Sequence, residues 1–466
     1  MAKDSKQKPA APTRPRLSRD EQQALGKSLR EKCPRDSHAI WVPRPHRPSP
    51  LALIEQSNKG RVPGLIPLRM GRMVRTPFTF YRGAALNMAD DLAKTPANGQ
   101  RVQACGDCHL MNFGAFATPE RRMIFDLNDM DETLSAPWEW DLKRLAASFV
   151  LACRNNRFSE GTARDAVMAC VRSYRERMAE YSQMSALDTW YSRIEIKQAV
   201  DALSNENGRK RLEKRIAQAR ARSVLEHDFP KLAAMRGETP TIKDNPPLVY
   251  HPRDDHEKSV LEQAQDAFAL YRETIQEDRR TLLDRYELKD IAFKVVGVGS
   301  VGTFCGVLLL MASETDPLFL QVKEARPSVL AAYAGKTPYP NEGQRVVNGY
   351  RRIQSASDIF LGWSKGLHGR HYFVRQLRDM KVSAEVEIMA PGTMSEYAAL
   401  CGWTLARAHA RSGAPAEISG YLGKSETFDK AITKFGVAYA DQTEVDHKVL
   451  LDAVRSGQVE VTVEPE

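Results

Sequence analysis

Two kinds of hydrophobic pattern divide this chain into helical and sheet-forming parts. Over most of the sequence apolar residues recur every three or four positions, as Leu142, Leu145 and Phe149 do, and this spacing predicts helices. The predicted helices cover residues 84–93, 140–154, 159–182, 204–227, 256–286, 342–355, 395–412 and 428–455. The sequence therefore predicts a mainly helical chain with one region of different character.

That region lies between residues 291 and 323, where short apolar runs are separated by glycines and turn residues. The spacing predicts an antiparallel β-meander with strands at Ile291–Val296, Thr303–Met311 and Leu318–Lys323. Strand-like segments also occur at residues 369–377 and near Lys381, whereas prolines interrupt residues 239–252 and predict a loop there. Together these elements predict an α+β fold.

Polar side chains are dense between Ala104 and Ser148, around the short apolar run Met123–Phe125. The stretch is typical of a loop, a strand, a second loop and a helix in succession. Burying so many polar groups is costly unless they bind something. We therefore expect the functional centre of the chain here.

Composition describes an ordinary soluble globular protein. The chain has 466 residues, of which 42% are hydrophobic and 27% charged, which is enough for two to four domains. No apolar run is long enough to span a membrane, and the N-terminus lacks the apolar segment of a secretory signal. The seven cysteines are thinly spread, which favours reduced thiols and a cytoplasmic location.

The net charge of +9 is concentrated near the start of the chain. Residues 1–50 contain 12 basic residues, 5 acidic residues and eight prolines. They predict a disordered basic arm up to about Asp36, followed by an extended proline-rich segment. Basic residues are also frequent in 204–227, but no aromatic residues for base stacking lie between them, so nucleic acid is a disfavoured partner.

Gly297, Gly299 and Gly302 form a G-x-G-x-x-G motif. A Rossmann-type dinucleotide site requires a helix after this motif, whereas a β-branched, apolar segment follows here and predicts a strand. Strand, glycine loop and strand form the phosphate cover of protein kinases, which carry a lysine on the third strand. Lys323 supplies that lysine, so we expect it to bind nucleotide phosphates together with Ser300 and the three glycines.

Such a lysine normally pairs with a glutamate on the next helix, and Glu342 is the nearest candidate. Glu324 neighbours Lys323 on the strand and should therefore point to the opposite face. Three arginines are candidates for neutralising phosphate charge, although structural ion pairs are the commoner role of arginine: Arg82, Arg375 and Arg378.

Asp107 and Asn112 have the five-residue spacing of a kinase catalytic loop. In that loop the Asp accepts the proton of the attacking hydroxyl, and the Asn carbonyl binds a metal ion. A second Asp must hold magnesium between the phosphates, because Mg²⁺ requires hard oxygen ligands. Asp126, Asp129 and Asp131 are the candidates.

At this point the sequence resembles the aminoglycoside phosphotransferases and choline kinases. Residues 106–112 (GDCHLMN) are similar to their H-G-D-x-H-x-x-N loop, with Cys105 in place of the first His. Residues 128–132 (NDMDE), followed by DL at Asp141, are similar to their metal-binding segment. The resemblance implies that Asp129 binds magnesium and that Asp141 supports the loop.

The chain also resembles an uncharacterised bacterial domain-of-unknown-function family, over nearly all residues beyond about 40. The segments that carry this resemblance are PWEWDLKRLA, GxGSVGT and residues 375–381. The glycine loop and lysine follow the catalytic-loop motif here, which reverses the order found in kinases. Residues 395–412 resemble the helix that precedes the phosphotransferase catalytic loop, so a circular permutation is the simplest explanation.

We therefore expect a two-lobed, kinase-like protein in permuted order. The predicted divisions are a basic tail at 1–60, a large lobe at 61–290 and 386–466, and a small lobe at 291–385. The expected activity is ATP- and magnesium-dependent transfer of a phosphoryl group to a hydroxyl or amine of a small-molecule or protein acceptor. The hypothesis requires Gly299 and Lys323 to share a cleft with Asp107 and Asp129.

Other functions compete with this hypothesis. A kinase-like protein can bind nucleotide for regulation without transferring phosphate, and the same fold can transfer an adenylyl group. Cys105–His109 also matches the C-x-x-C-H pattern of c-type haem attachment, but that requires export. A zinc or redox C-x-x-C site is disfavoured, because no second Cys or His pair has metal-ligand spacing.

Overall fold

The computed structural model describes residues 17–221, 229–237, 239–251, 257–366, 369–377 and 380–464. Helices predominate in them and the strands form small antiparallel sheets, so the predicted α+β class is confirmed. None of these helices combines the length and the apolar character that crossing a membrane requires.

The helices of the described residues occur throughout the chain. They are α1 (Arg19–Lys32), α2 (Pro50–Asn58), α3 (Ile66–Met73), α4 (Pro77–Gly83), α5 (Ala85–Leu92), α6 (Trp138–Asn155), α7 (Glu160–Gln183), α8 (Ala186–Tyr191), α9 (Ile196–Asp201), α10 (Glu206–Ala221), α11 (Phe229–Leu232), α12 (Glu257–Arg272), α13 (Glu277–Leu283), α14 (Ala331–Ala334), α15 (Glu342–Ile353), α16 (Pro391–Ser412), α17 (Pro415–Leu422) and α18 (Thr427–Arg455).

The strands fall into four sheets. They are β1 (Arg101–Ala104), β2 (Phe113–Ala117), β3 (Met123–Leu127), β4 (Leu134–Pro137), β5 (Ala233–Arg236), β6 (Thr239–Ile242), β7 (Val249–Tyr250), β8 (Glu287–Lys294), β9 (Cys305–Ser313), β10 (Asp316–Ala325), β11 (Gly362–Lys365), β12 (His371–Gln376) and β13 (Val382–Ser383). The largest sheet has the order β11-β12-β10-β9-β8-β7. The others are β13-β2-β3, β1-β4 and β5-β6.

The predicted meander is confirmed as the centre of the six-stranded sheet, where β8, β9 and β10 pair antiparallel in sequence order. Residues at alternate positions share a face of a sheet. Leu308 and Leu320 therefore lie on one face, where Tyr271 of α12 packs against them. Phe319 and Lys323 lie on the opposite face, which is turned toward the rest of the protein.

A single core joins the helices on either side of the six-stranded sheet in the sequence. It contains buried residues of α6 and α7 together with residues of α16 and α18, which come more than 200 residues later. The ring of Trp138 stacks on Tyr174, with 5.7 Å between centroids. α16 approaches α7 so closely that a Cβ at Gly402 would lie 2.0 Å from the carbonyl oxygen of Cys170.

The expectation of a disordered arm up to about Asp36 is wrong for the described part of that segment. α1 begins there with a capping box, in which Ser18 and Glu21 each bond the other's backbone N–H. The helix packs against α17, and Arg30 donates to the carbonyl of Tyr421 at 2.8 Å. Tertiary packing therefore stabilises a polar helix that composition alone favours as disordered.

Two other sequence predictions need correction. The single helix expected at 256–286 is divided, because α12 ends at Arg272 and α13 begins at Glu277. In the turn between them the hydroxyl of Thr274 accepts the backbone N–H of Trp363 at 2.9 Å, so the turn caps the edge strand β11. The loop expected at 239–252 contains the short strands β6 and β7.

Candidate functional site

Two short β-ribbons bring the polar loops of the central stretch together. β1 pairs with β4, and β2 pairs with β3, so the chain passes from one ribbon to the other and back again. The two connecting loops, 105–112 and 128–133, consequently lie side by side. The backbone N–H of Asn128 donates to the carbonyl of Asn112 at 2.8 Å and joins them.

Asp141, near the start of α6, supports the first loop, as the sequence predicted. Its carboxylate accepts the backbone N–H groups of Cys105 at 2.6 Å and Gly106 at 2.9 Å. His409 of α16 lies 3.2 Å from the same carboxylate and is held on its other side by Tyr174. Residue 105 joins this network through its backbone N–H. A cysteine in place of the first His of the phosphotransferase motif can therefore make the same contact.

The predicted base, Asp107, forms an ion pair with the buried Arg144, whose Nε donates to Oδ1 at 2.6 Å. The Asn112 side chain donates from Nδ2 to the Asp107 carbonyl at 2.6 Å, so the two catalytic-loop residues are directly linked. His109 is buried nearby, and burial lowers its pKa to about 4. Its imidazole is therefore neutral at pH 7.

Lys323 brings the six-stranded sheet to the second loop. Its ammonium group forms an ion pair with Asp131 and lies 3.7 Å from Asp129. Burial opposes ionisation of Asp129, but Lys323 and Arg375 outweigh it and lower its pKa. Burial and the charge of Asp129 raise the pKa of Asp131. The positive charges around the pair therefore stabilise the ionised form of Asp129 more than that of Asp131.

The structure does not bring Asp126 to this site. Its fully buried carboxylate pairs with Arg407 of α16 at 2.5 Å. The same carboxylate accepts the backbone N–H and the hydroxyl of Ser355, both at 2.9 Å, and the N–H of Leu127 at 2.8 Å. Protein groups already satisfy the oxygens of Asp126, so its environment is that of a structural residue and not of a metal ligand.

The glycine loop, residues 295–304, connects β8 to β9 and is fixed to the N-terminal helices. Val298 packs with residues of α3 and α4, and Val301 is fully buried beside Leu68. The carbonyl of Gly302 accepts the N–H of Val62 at 2.8 Å. The outer side of the loop is therefore covered, and its inner side faces loop 128–133.

All three glycines of the motif have clear conformational reasons. Gly297 has a positive φ of 65°. Gly302 has a φ of 84°, in the left-handed region that side chains disfavour. A Cβ at Gly299 would lie 3.2 Å from the carbonyl oxygen of Arg82, closer than an ordinary contact. The loop thus requires glycine both for its turn and for its close approach to α4.

A cavity of about 270 Å³ lies between the glycine loop and the two polar loops. Asp107, Asp129 and Asp131 line it, together with Gly299 and Ser300. Asn112, Gly297, Gly302 and Lys323 lie outside its lining, and Lys323 reaches it through its two Asp partners. The cavity also contains residues for which the sequence motifs predicted no binding role: Arg61, Arg69, Glu132, Glu324 and Arg326.

Residues 61–453 match the model of a protein family described as an uncharacterized protein conserved in bacteria, DUF2252. The chain belongs to this family. No curated protein and no solved structure matches the chain. The matched region begins at Arg61. It contains all residues that line the cavity except Gln56 and Ser57.

In this DUF2252 protein the predicted pairing of Lys323 with Glu342 is wrong. Glu342 accepts from Nε of Arg345, one turn further along α15, at 2.5 Å. The buried Arg345 also donates to the backbone carbonyls of Thr133 and Asp131 and so positions loop 128–133. Aspartates of that loop take the place of the helix glutamate beside the lysine.

The remaining charged candidates of the DUF2252 chain differ in position. Arg375 donates to the carbonyl of Asn128 at 3.0 Å and to the hydroxyl of Tyr350 at 2.7 Å, so it supports the second loop from behind. Arg82 lines the cavity. Arg378 lies outside the described residues.

The cysteines of the C-x-x-C-H pattern are buried in the loop. Cys105 and Cys108 are both free, and the Cys105 thiol donates to the carbonyl of Asp129 at 3.2 Å. In the part of the chain that the structure describes, no group of three or more His, Cys, Asp or Glu side chains is arranged to hold a metal ion by itself.

Sequence motifs missed two kinds of residue that lie in or beside the cavity of this DUF2252 protein. Arg144 lies one helical turn after Asp141, so both side chains face the same loop, and this spacing is a usable signal. Arg61, Arg69 and Arg326 had no such signal, because tertiary structure alone brings their segments to the cavity.

The β5–β6 hairpin covers the sheet face next to the cavity. Ala233 and Ile242 of the hairpin are buried against Val307, Leu309 and Phe319 of the six-stranded sheet. These sheet residues share the face of Lys323, at the end farther from the glycine loop. The apolar part of that face is therefore occupied by the protein itself.

Proposed function

We propose that this protein is an ATP- and magnesium-dependent phosphotransferase acting on a hydroxyl or amine acceptor. The observation that carries the proposal is the shared cavity, which joins Asp107 and Asp129 to the glycine loop although these segments are nearly 200 residues apart. A pair of carboxylates opposite a glycine loop and a lysine is the set of residues that phosphoryl transfer requires.

The order of structural parts supports a kinase-like fold in permuted order. β8, the glycine loop, β9, β10 with Lys323 and α15 follow one another as the corresponding parts of a kinase small lobe do. In the other half, the loop with Asp107 and Asn112 leads into the β2–β3 hairpin and then to Asp129. Within each half the order is that of kinases, and only the halves are exchanged.

The residues of the cavity fit a phosphate chain with magnesium. Asp129 retains 35% side-chain exposure, and Oδ1 of Asp131 is buried without a hydrogen-bond partner. Mg²⁺ typically takes one or two protein carboxylates and completes its shell with phosphates and water, so a larger ligand cluster is not required. Asp129 would hold the ion, which would neutralise phosphate charge. Asn112, which lies outside the cavity lining beside Asp107, is the second ligand that the catalytic-loop spacing predicts.

The protein residues would divide the remaining work. Asp107 would accept the proton of the acceptor's attacking group, since its carboxylate lines the cavity and Asn112 fixes its backbone. Lys323 would pair with donor phosphates, and Ser300 with Gly299 would cover them. Positioning and electrostatic stabilisation would supply most of the rate enhancement.

Nucleotide binding without transfer is the second candidate function. The ion pair between Arg144 and Asp107 favours it, because the arginine already occupies one oxygen of the proposed base. Transfer of an adenylyl group is compatible with the same cavity but is favoured by no separate contact.

A thermal-shift screen of nucleotides with and without magnesium tests the proposal. We expect a magnesium-dependent rise in Tm with ATP, followed by ATP turnover when pools of small-molecule acceptors are added. A shift without turnover in any pool supports the binding-only function. No shift with any nucleotide contradicts both.

A further inference from the structure

Four arginines of the cavity, Arg61, Arg69, Arg82 and Arg326, form what we call the arginine cluster. The first three come from the segment around α2, α3 and α4, and the fourth follows β10 directly. Among the described residues, no carboxylate lies within ion-pair distance of any of them. Four arginines thus line one cavity without an ion-pair partner among the described residues.

Arg69 is the most deeply buried of the cluster, with 1% exposure. It donates to the Asn58 side chain at 2.5 Å and to the Gly83 carbonyl at 2.7 Å, and its Nε is buried without an acceptor. Both of its partners are neutral. A buried charge that is hydrogen-bonded but not neutralised is costly, and a bound anion offsets that cost.

Arg82 has even fewer partners. Among the described residues, no hydrogen-bond acceptor meets its guanidinium group, and its Nε is buried. The group lies 6.0 Å from the ring centroid of Phe78, on α4, close to the glycine loop through Gly299. An arginine held on the cavity wall without a structural bond is available to a ligand.

Arg61 and Arg326 contact backbone carbonyls only. Arg61 donates to Ser57 at 3.0 Å and to Val301 at 2.6 Å, and Arg326 donates to Ser57 at 3.3 Å and to Lys59. Burial and the neighbouring Arg326 lower the pKa of Arg61 to about 10. Burial likewise lowers the pKa of Arg69 and Arg82. Mutual repulsion and desolvation therefore both favour an added anion.

The acidic residues of the cavity have other partners. Asp107 pairs with Arg144, and Asp131 pairs with Lys323. Glu132 accepts the N–H of Val329 at 2.7 Å, and Glu324 accepts the N–H of Phe304 at 3.0 Å. Asp107 and Asp131 thus have their own cations, whereas Glu132 and Glu324 bond backbone N–H groups. The charges of Glu132 and Glu324 act favourably on Arg61, but burial and Arg326 outweigh them.

We propose that the arginine cluster is a binding site for a phosphate or polyphosphate anion, with Arg82 as its member beside the glycine loop, an assignment that rests on the proposed function. The anion has two possible sources, the triphosphate of the nucleotide or a phosphate group already on the acceptor. In either case Arg82 neutralises charge beside the transferred group, as an arginine supplied within the same chain does in other phosphoryl-transfer enzymes.

Binding of tripolyphosphate to the full-length protein, measured by calorimetry, tests the site directly. We expect saturable binding that weakens with added salt, and at least tenfold weaker binding by Arg82→Gln and Arg61→Gln, because a charge-assisted hydrogen bond is lost. Arg82→Lys should recover part of the affinity. Arg455→Gln, at an exposed position on α18, is the matched control and should bind like the wild type.

The outcomes separate the two proposals. Equal affinities for wild type, Arg82→Gln and Arg61→Gln overturn the arginine site, whatever the protein does with ATP. Arginine-dependent tripolyphosphate binding without any nucleotide binding leaves the site standing and removes the proposed function. Competition between tripolyphosphate and ATP identifies the nucleotide tail as the source. Binding of inorganic phosphate to protein saturated with a non-hydrolysable ATP analogue identifies a phosphorylated acceptor instead.

Discussion

Asp126 and Asp129 are three residues apart, yet their carboxylates have opposite environments. Asp126 is fully buried and saturated by Arg407, Ser355 and Leu127. Asp129 is partly exposed in the cavity and beside Lys323. Substitution of the two aspartates should therefore affect different properties of the protein.

Asp129→Asn should weaken magnesium-dependent nucleotide binding and leave the unfolding transition nearly unchanged. Asp126→Asn should instead lower the free energy of unfolding by about 3–5 kcal/mol, because Arg407 is left buried without its counter-ion. Calorimetric binding and urea denaturation of both variants check this pair. Reversed effects would assign the metal to Asp126.

Asp107→Asn should reduce kcat by about 10²–10⁴-fold, the usual contribution of a general base, while Mg-ATP binding stays within a fewfold of the wild type. The amide keeps the shape of the carboxylate but cannot accept the proton. Single-turnover kinetics and nucleotide titration measure the two quantities. Full activity of this variant would remove Asp107 from the base role.

His251 gives a prediction about pH. Its imidazole lies between Asp290 at 3.1 Å and Asp244 at 2.8 Å, and the hydrogen bond to Asp290 is the main cause that raises its pKa to about 9. The unfolded value is about 6.5. Its stabilisation is therefore complete below about pH 6.5 and is lost as pH rises through about 9.

Comparison of wild type with His251→Gln over this range tests the prediction. The difference in unfolding free energy should be largest below pH 6.5 and should disappear above pH 9, as followed by urea denaturation at several pH values. A difference that stays constant with pH would show that the two ion pairs contribute nothing through the charge of His251.

Sequence spacing predicted Asp107 and Asn112 and left three aspartates open as metal ligands, among which the family resemblance selected Asp129. Asp107 and Asn112 belong to one loop, and Asp129 follows a strand that pairs with the strand after that loop. The role of Asp126 could not be predicted, because its partner Arg407 is 281 positions away. The same limit hid the arginine cluster, whose members meet only through tertiary structure.

At the scale of elements, several pairs of helices pack backbone against backbone at a glycine, with no side chain between them. Gly402 lies in α16 where a Cβ would be 2.0 Å from the Cys170 carbonyl of α7. Gly392, near the start of the same helix, has no atom within 4 Å of an added Cβ. One helix thus contains both a position that excludes a methyl group and one that accepts it.

Gly402→Ala should lower stability by about 1–3 kcal/mol, because the two helices must separate or distort. Gly392→Ala should leave Tm unchanged or slightly higher, since alanine favours helix. Differential scanning calorimetry of the pair checks the prediction. Equal Tm values for the two variants would mean that α16 and α7 can move apart freely.

Element types were largely predictable, and some element boundaries were not. The period of apolar residues predicted α7, α16 and the β8–β9–β10 meander, because each buries one regular face. α1 was missed although Ser18 and Glu21 form a capping box, since charge and proline content outweighed that local signal. The break at Thr274 depends on a contact with β11 and had no local signal.

At the scale of the whole molecule, the chain segments before and after the six-stranded sheet form one core. The order of motifs predicts exchanged halves of a kinase-like fold, because each motif is recognisable by itself, and this permutation stays a prediction. Which helices pack together could not be predicted, since α6, α7, α16 and α18 have similar apolar patterns. The covering of the sheet face by the β5–β6 hairpin likewise had no signal in a segment that was expected to be a loop.

If the protein binds a nucleotide as proposed, that hairpin limits the fraction of molecules that can accept one. A base extending from phosphates at Lys323 along the sheet meets the face that Ala233 and Ile242 cover. If the face is free in about one molecule in a hundred, the apparent affinity for a nucleotide falls about a hundredfold, whereas a ligand without a base loses nothing.

Phe229→Ala tests this consequence, because the Phe229 ring lies 6.4 Å from Phe319 and helps to hold the hairpin on the sheet. The variant should bind ATP more tightly and bind tripolyphosphate as the wild type does. Equal changes for both ligands would mean that the hairpin does not compete with the base. Tighter binding of ATP alone would instead mean that the protein exists mostly in a closed state, whose opening determines how readily a nucleotide enters.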